Sequence, residues 1–91
     1  MIRVMTDEEL QQAIQDVNEA LNSLAGPNQF EGPFPQYEIK RREIILLRQV
    51  TVYKILEARE KREKHLELFN TEIYDAMTSL LQSYKYNEDE S

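Results

Sequence analysis

The sequence predicts an all-α fold, and three observations carry that expectation. All five helix breakers, Gly26, Pro27, Gly32, Pro33 and Pro35, lie in the first part of a 91-residue chain, so Gln36 to Ser91 runs without one. Apolar residues recur at spacings of three and four on both sides of this breaker cluster, which is the period of a one-faced helix. The segment before the first stripe carries a complete helix-start signature.

The first helix is expected over about 6–25. Thr6 with Glu9 three residues later makes a capping box, and Met5 with Leu10 occupies the two positions of a hydrophobic staple. Leu10, Ala13, Ile14, Val17, Ala20, Leu21 and Leu24 form one stripe, with Gln11, Gln12, Gln15, Asp16, Asn18, Glu19 and Asn22 opposite. This short amphipathic helix must cover something apolar, and Gly26–Pro27 suits its end. Residues 26–35 read as a Pro/Gly-rich elbow of set path, whose Phe30 and Phe34 plug the end of a helical pair or anchor a partner.

From about 35 to 85 a long helix is expected. At 1.5 Å per residue a straight helix of about fifty residues would be roughly 75 Å long, more than a domain of this size can cover. It either continues as half of a helical hairpin or bends near 65–71, where Asn70 and Thr71 weaken the propensity, and closes a three-helix bundle. Residues 44–58 are apolar around most of the circumference, which calls for neighbours on several sides. Val50-Thr51-Val52-Tyr53 also suits a strand, but the flanking Glu, Arg, Lys and Leu favour helix. Residues 59–65 hold no apolar side chain and offer Glu57–Lys61, Glu60–Lys64 and Arg59–Glu63 pairs on a solvated face. Leu66, Phe69, Ile73, Ala76, Met77, Leu80, Leu81 and Tyr84 then form a second stripe. If the helix continues, a second copy must bury it, giving a homodimer or higher assembly with coiled-coil character. Residues 87–91 read as a disordered acidic tail. The whole is one helical domain, 1–91.

Composition bounds the function. With no cysteine and one histidine, His65, the chain has no disulfide and no zinc set, and it calls for no cofactor. No stretch approaches the ~20 apolar residues that span a bilayer, and the first residues lack the apolar core of a secretory signal, so the expected location is the cytoplasm and no membrane partner is expected. The net charge of −6 is segregated. Residues 1–35 hold one basic against six acidic side chains, 36–66 hold nine against five, and 67–91 hold one against six. The basic centre either packs beside the acidic first helix or the acidic end of a second copy, or it is an anion-binding centre with acidic flanks.

Lys40, Arg41, Arg42 and Arg48 with Tyr37 and Tyr53 are the candidate residues for such a centre, because Arg offers a bidentate fork to phosphate and tyrosine can stack on a base. Arg48 lies within the most apolar stretch and must snorkel or pair, the acids of the first helix, Asp16 and Glu19, being the expected partners. Acidic ends and the absence of a helix-turn-helix or zinc signature argue against nucleic acid.

Arg59 and His65 stand six positions apart, an arrangement that resembles the short Arg–His motif of the HEPN ribonucleases. The resemblance covers seven residues and implies His65 in proton transfer and Arg59 on phosphate at a dimer cleft. Glu60 after the arginine, the surrounding lysines and glutamates and the short chain depart from that family's four-to-five-helix pattern, and a solvated helical face is the preferred reading. No other catalytic constellation is found, so no enzymatic activity is expected. By exclusion the sequence points to a small binding protein, an adaptor or inhibitor acting by protein–protein contact, of the kind viruses and mobile elements encode. Its expected interface residues are Phe30, Phe34, Leu66, Phe69, Ile73, Met77, Leu80 and Tyr84. The alternative is an oligomer that captures a phosphate-bearing metabolite or signalling nucleotide at its basic centre.

Overall fold

The computed structural model describes residues 3–24 and 36–90, with side chains described for all of these except Tyr37 and 84–90. The elbow and its Phe30 and Phe34 lie outside the described residues. Among the described residues there are three helices: α1 (Asp7–Ser23), α2 (Gln36–Glu60) and α3 (Lys64–Glu90). No strand occurs among the described residues, so 50–53 are helical.

α1 begins as its sequence dictates. The Thr6 hydroxyl accepts the Glu9 amide at 3.0 Å, and the Glu9 carboxylate accepts the Thr6 amide at 3.0 Å. Both staple residues, Met5 and Leu10, are buried in the central cluster. That reciprocal cap satisfies the Thr6 and Glu9 amides, and the three acids of the first turn complement the positive end of the helix dipole.

The long helix expected over 35–85 is two helices. It breaks at Lys61–Glu63, ahead of the 65–71 region, and without glycine or proline. Arg62 takes a left-handed backbone (φ 59°). The Glu63 amide reaches back to the Ala58 carbonyl at 2.8 Å and the Arg62 amide to the Arg59 carbonyl at 3.2 Å. These two bonds make the helix-ending motif that normally places glycine where Arg62 stands. Glu63 then opens α3 by accepting the Leu66 and Glu67 amides on its carbonyl. At the other end α3 continues to Glu90, so residues 87–90, expected as a disordered tail, are helical. The Asn70 amide returns to the Leu66 carbonyl and the Thr71 hydroxyl to the Glu67 carbonyl within an unbroken α3.

α2 is the central element. Arg48 meets Thr78 and Arg59 meets Glu67, so α2 and α3 run antiparallel; Arg59 meets Asp7 and Gln49 meets Asn18, so α1 also runs antiparallel to α2. The core is Met5, Leu10, Ala13, Val17, Val52, Ile55 and Tyr74, with Ile14 and Leu56 against it. Val17, Val52 and Ile55 are wholly buried, each contributing about 1.5–3 kcal/mol by burial. α1 lies across one face of the α2/α3 hairpin. The molecule measures 43 × 27 × 19 Å, and the short dimension has room for two helix layers and no third.

Arg62 gives a direct check on the break. A left-handed non-glycine residue costs about 1 kcal/mol or more, which glycine avoids. Arg62→Gly is expected to raise the urea midpoint and the Tm by a few degrees, and Arg62→Val to lower both; a fall with glycine would show that 62 is not left-handed.

Candidate functional site

The side of α3 that meets α2 is polar. Glu67, Thr71, Tyr74 and Thr78, spaced four, three and four, form it, and the first three are buried. Each polar group is satisfied in place. The Thr71 hydroxyl donates to the Glu67 carbonyl at 2.7 Å and the Thr78 hydroxyl to the Tyr74 carbonyl at 2.9 Å. Across the interface the buried Thr51 hydroxyl donates to the Leu47 carbonyl at 2.7 Å. Among the described residues no buried side-chain polar atom lacks a partner. Small side chains at Thr51, Ala58 and Thr71 leave space for the two helices to come together, which is how a polar seam becomes a packed one.

Arg59 holds the hairpin end. Its guanidinium donates twice to Glu67 Oε2, at 3.0 and 2.7 Å, once to Asp7 Oδ1 at 3.1 Å, and once to the Met5 carbonyl. The Glu67 side chain is 7 % exposed. This one side chain ties the entry to α1, the end of α2 and the start of α3. His65 is exposed beyond the break and shares none of those contacts. The arrangement engages Arg59 in structural pairs.

The basic residues of α2 face different neighbours. Arg48 turns to α3, not to Asp16 or Glu19: Nε donates to Thr78 Oγ1 and Nη2 to Tyr74 Oη, both at 2.9 Å, and the guanidinium lies 4.8 Å from the Tyr74 ring centre. A π face and two hydroxyl oxygens replace the expected carboxylate. Arg41 and Arg42 both donate to Glu38, at 2.7–3.1 Å, and hydrogen bonding from Arg41 above all holds that carboxyl below its ordinary range. Tyr53 is turned to α1, where the Asn18 amide donates to its hydroxyl at 3.1 Å. Lys40 is exposed, and the Tyr37 side chain lies outside those described. Arg48 and Tyr53 thus point to opposite partners. Among the described residues no group of three or more His, Cys, Asp or Glu could hold a metal, and no helix is long and apolar enough to cross a membrane.

What converges instead is apolar. Because the polar stripe faces α2, the stripe Leu66, Phe69, Ile73, Met77 and Leu80 is turned outward. Phe69 is 59 % exposed, Leu66 and Leu80 are exposed, and Ile73 and Met77 are half-buried. The Tyr84 position continues the stripe in α3. Leu66 and Phe69 line a groove of about 350 Å³ with Lys54, Glu57, Ala58, Glu63 and Asn70, which fixes the side of α2 that they adjoin. Leu47 and Val50, seven and four residues before Lys54, extend that side of α2, and both are exposed, Leu47 at 53 %. The result is one apolar face on the hairpin, opposite α1. Among the described residues the encirclement expected for 44–58 is met on two sides, by α1 and α3. The stripe shows in the sequence at its period; its outward rotation goes with the long-range bonds of Arg59 to Glu67, Arg48 to Tyr74 and Thr78, and Arg3 to Asp75, which no local spacing reveals.

No protein-family model, curated protein or solved structure matches this chain. The site therefore rests on its own geometry, that of a two-layer, three-helix protein with one bare hairpin face.

The Arg59–Glu67 pair is tested by a double-mutant cycle. Arg59→Met strands a buried carboxylate and is expected to cost about 3–5 kcal/mol in urea denaturation. Arg59→Met with Glu67→Leu is expected to recover most of that, since a buried pair and an apolar replacement are near balance. A double variant no more stable than Arg59→Met would contradict the assignment.

Proposed function

We propose that this protein is a non-catalytic binding protein, an adaptor or inhibitor that works by protein–protein contact through the apolar face of the α2/α3 hairpin. The observation that supports this most is the inverted amphipathicity of α3: its polar stripe is packed, while Leu66, Phe69 and Leu80 of its apolar stripe are exposed and Ile73 and Met77 half-buried. A chain that needed only to fold would gain by burying Phe69, worth about 1.5–3 kcal/mol, rather than Thr71. Contiguous apolar surface of this kind marks an interaction site. Charged groups at its margin, Lys54, Glu57 and Glu63, supply the polar rim that such sites carry. The contact mode is helix packing, with Leu66, Phe69, Ile73, Met77 and Leu80 as the anchors of one helical face.

The test is site-specific photocrosslinking in the expressing cell. A photoreactive phenylalanine replacing Phe69 is expected to give discrete protein adducts, to the same chain or to another, that disappear when Ile73→Glu is added. The same group replacing Gln11, on the outer side of α1, is expected to give none. Equal labelling from both positions, or no protein adduct from position 69, would remove the reading.

A further inference from the structure

The apolar face has a self-complementary pattern along α3, and we infer that its occupant is a second copy of this chain, packed α3 against α3 in antiparallel order. This rests on the reading of that face as a protein contact surface, and names its partner.

Three features lead to a second copy. The first is register. The stripe positions 66, 69, 73, 77, 80 and 84 are nearly symmetric about residue 75, so a two-fold axis there sets Leu66 opposite the Tyr84 position, Phe69 opposite Leu80 or Leu81, and Ile73 opposite Met77. Each contact occurs twice, as an isologous interface requires. A one-faced helical stripe is roughly symmetric about its own midpoint, so the register says which residues meet, and charge and size carry the choice of partner.

Charge follows the same axis. The turn that precedes α3 exposes Lys61 and Arg62, and the first two residues of α3, Lys64 and His65, are exposed as well. α3 runs on to Glu90, and its last positions are Glu88, Asp89 and Glu90. Antiparallel pairing brings the basic start of one α3 toward the acidic last positions of the other, at both ends of the dimer. Parallel pairing would align basic turn with basic turn and acidic end with acidic end, which costs energy at both ends. The separation of basic and acidic segments thus selects one orientation.

Size is the third feature. A helix of 27 residues is about 40 Å long, and with the adjoining Leu47 and Val50 side of α2 the face is about 20 Å wide. That is roughly 800 Å² per partner, the amount a stable interface buries. The arrangement adds a layer to each hairpin: α1, then α2/α3, then the α2/α3 of the other copy. Each hairpin is then covered on both faces, and each copy supplies the neighbour that the other's 44–58 segment lacks.

Sedimentation equilibrium on the full chain, from micromolar to millimolar concentration, tests the association. Dimer is expected to form with rising concentration, and Phe69→Glu is expected to leave the helical circular dichroism unchanged while shifting dissociation by at least tenfold. A nitroxide on Leu66→Cys tests the orientation, since the native chain has no cysteine to compete. Antiparallel pairing predicts a distance between the two labels of about 25–30 Å, from 18 residues of axial offset at 1.5 Å each. A short distance of about 10 Å would mean parallel pairing, from the lateral spacing of packed helices alone, and would overturn the inference. A chain that remains monomeric throughout, while position 69 still crosslinks to other proteins, would overturn the second copy and leave the binding surface standing.

Discussion

The rotation of α3 about its own axis is anchored at its first turn by one ion pair, with Arg48 on Tyr74 and Thr78 and Arg3 on Asp75 holding it further along. Arg59 leaves the last turn of α2 and reaches Glu67 in the first turn of α3, with two hydrogen bonds to one carboxylate oxygen. With Glu67 held inward, helical periodicity brings Thr71, Tyr74 and Thr78 to the same seam and carries Leu66, Phe69, Ile73, Met77 and Leu80 to the outside. A hydrophobic pair at 59 and 67 would leave α3 able to roll until its apolar stripe met α2. The pair opposes that roll, because turning Glu67 out to water would break its two bonds to Arg59 and leave the guanidinium with Asp7 and the Met5 carbonyl alone. Such pairs add little net stability, and in some proteins they fix one arrangement among several. The same guanidinium holds Asp7 and the Met5 carbonyl, so the entry to α1 is fixed by the residue that orients α3.

The energetic consequence is a divided molecule. Between α1 and the hairpin lies an apolar core of the ordinary sort, Leu10, Ala13 and Val17 against Val52, Ile55 and Tyr74. Between α2 and α3 lies a seam of hydroxyls closed on their own helices, together with the Arg48 guanidinium over the Tyr74 ring. That seam contributes close packing and hydrogen bonds. A chain of 91 residues has little area to spare, since small domains bury a modest share of their surface. Leaving five large apolar side chains on an outer face is then a cost to the isolated copy, offset when the face is covered.

What the sequence made legible follows from where its signals are local. The start of α1 is readable because a capping box and a staple are written in nearby residues, and both occur as expected, whereas Gly26–Pro27, expected to end it, lie outside the described residues. The break between α2 and α3 was not, because its left-handed residue is Arg62 and its bonds to Ala58 and Arg59 are made by backbone. Composition near 65–71 pointed to the wrong place: Asn70 and Thr71 bond back to the preceding turn and stay helical. The apolar stripe of α3 was visible at its period, but periodicity shows that a helix has two faces without saying which one the same chain covers. That choice was made by a long-range pair whose acid looked like any other surface glutamate. For the same reason Arg48 looked destined for the acids of α1, though its neighbours across the hairpin were an aromatic ring and two hydroxyls.

The orientation of α3 is the claim on which the binding face stands, and thiol labelling of single-cysteine variants measures it most directly in a chain that has no cysteine of its own. At low concentration Phe69→Cys is expected to react with an aromatic disulfide reagent at the rate of an unstructured thiol, and to slow as concentration rises. Thr71→Cys, at a position 1 % exposed, is expected to react only as fast as the protein opens. Fast labelling at 71 with protection at 69 in the dilute chain would mean that α3 packs its apolar stripe inward, and would contradict the account.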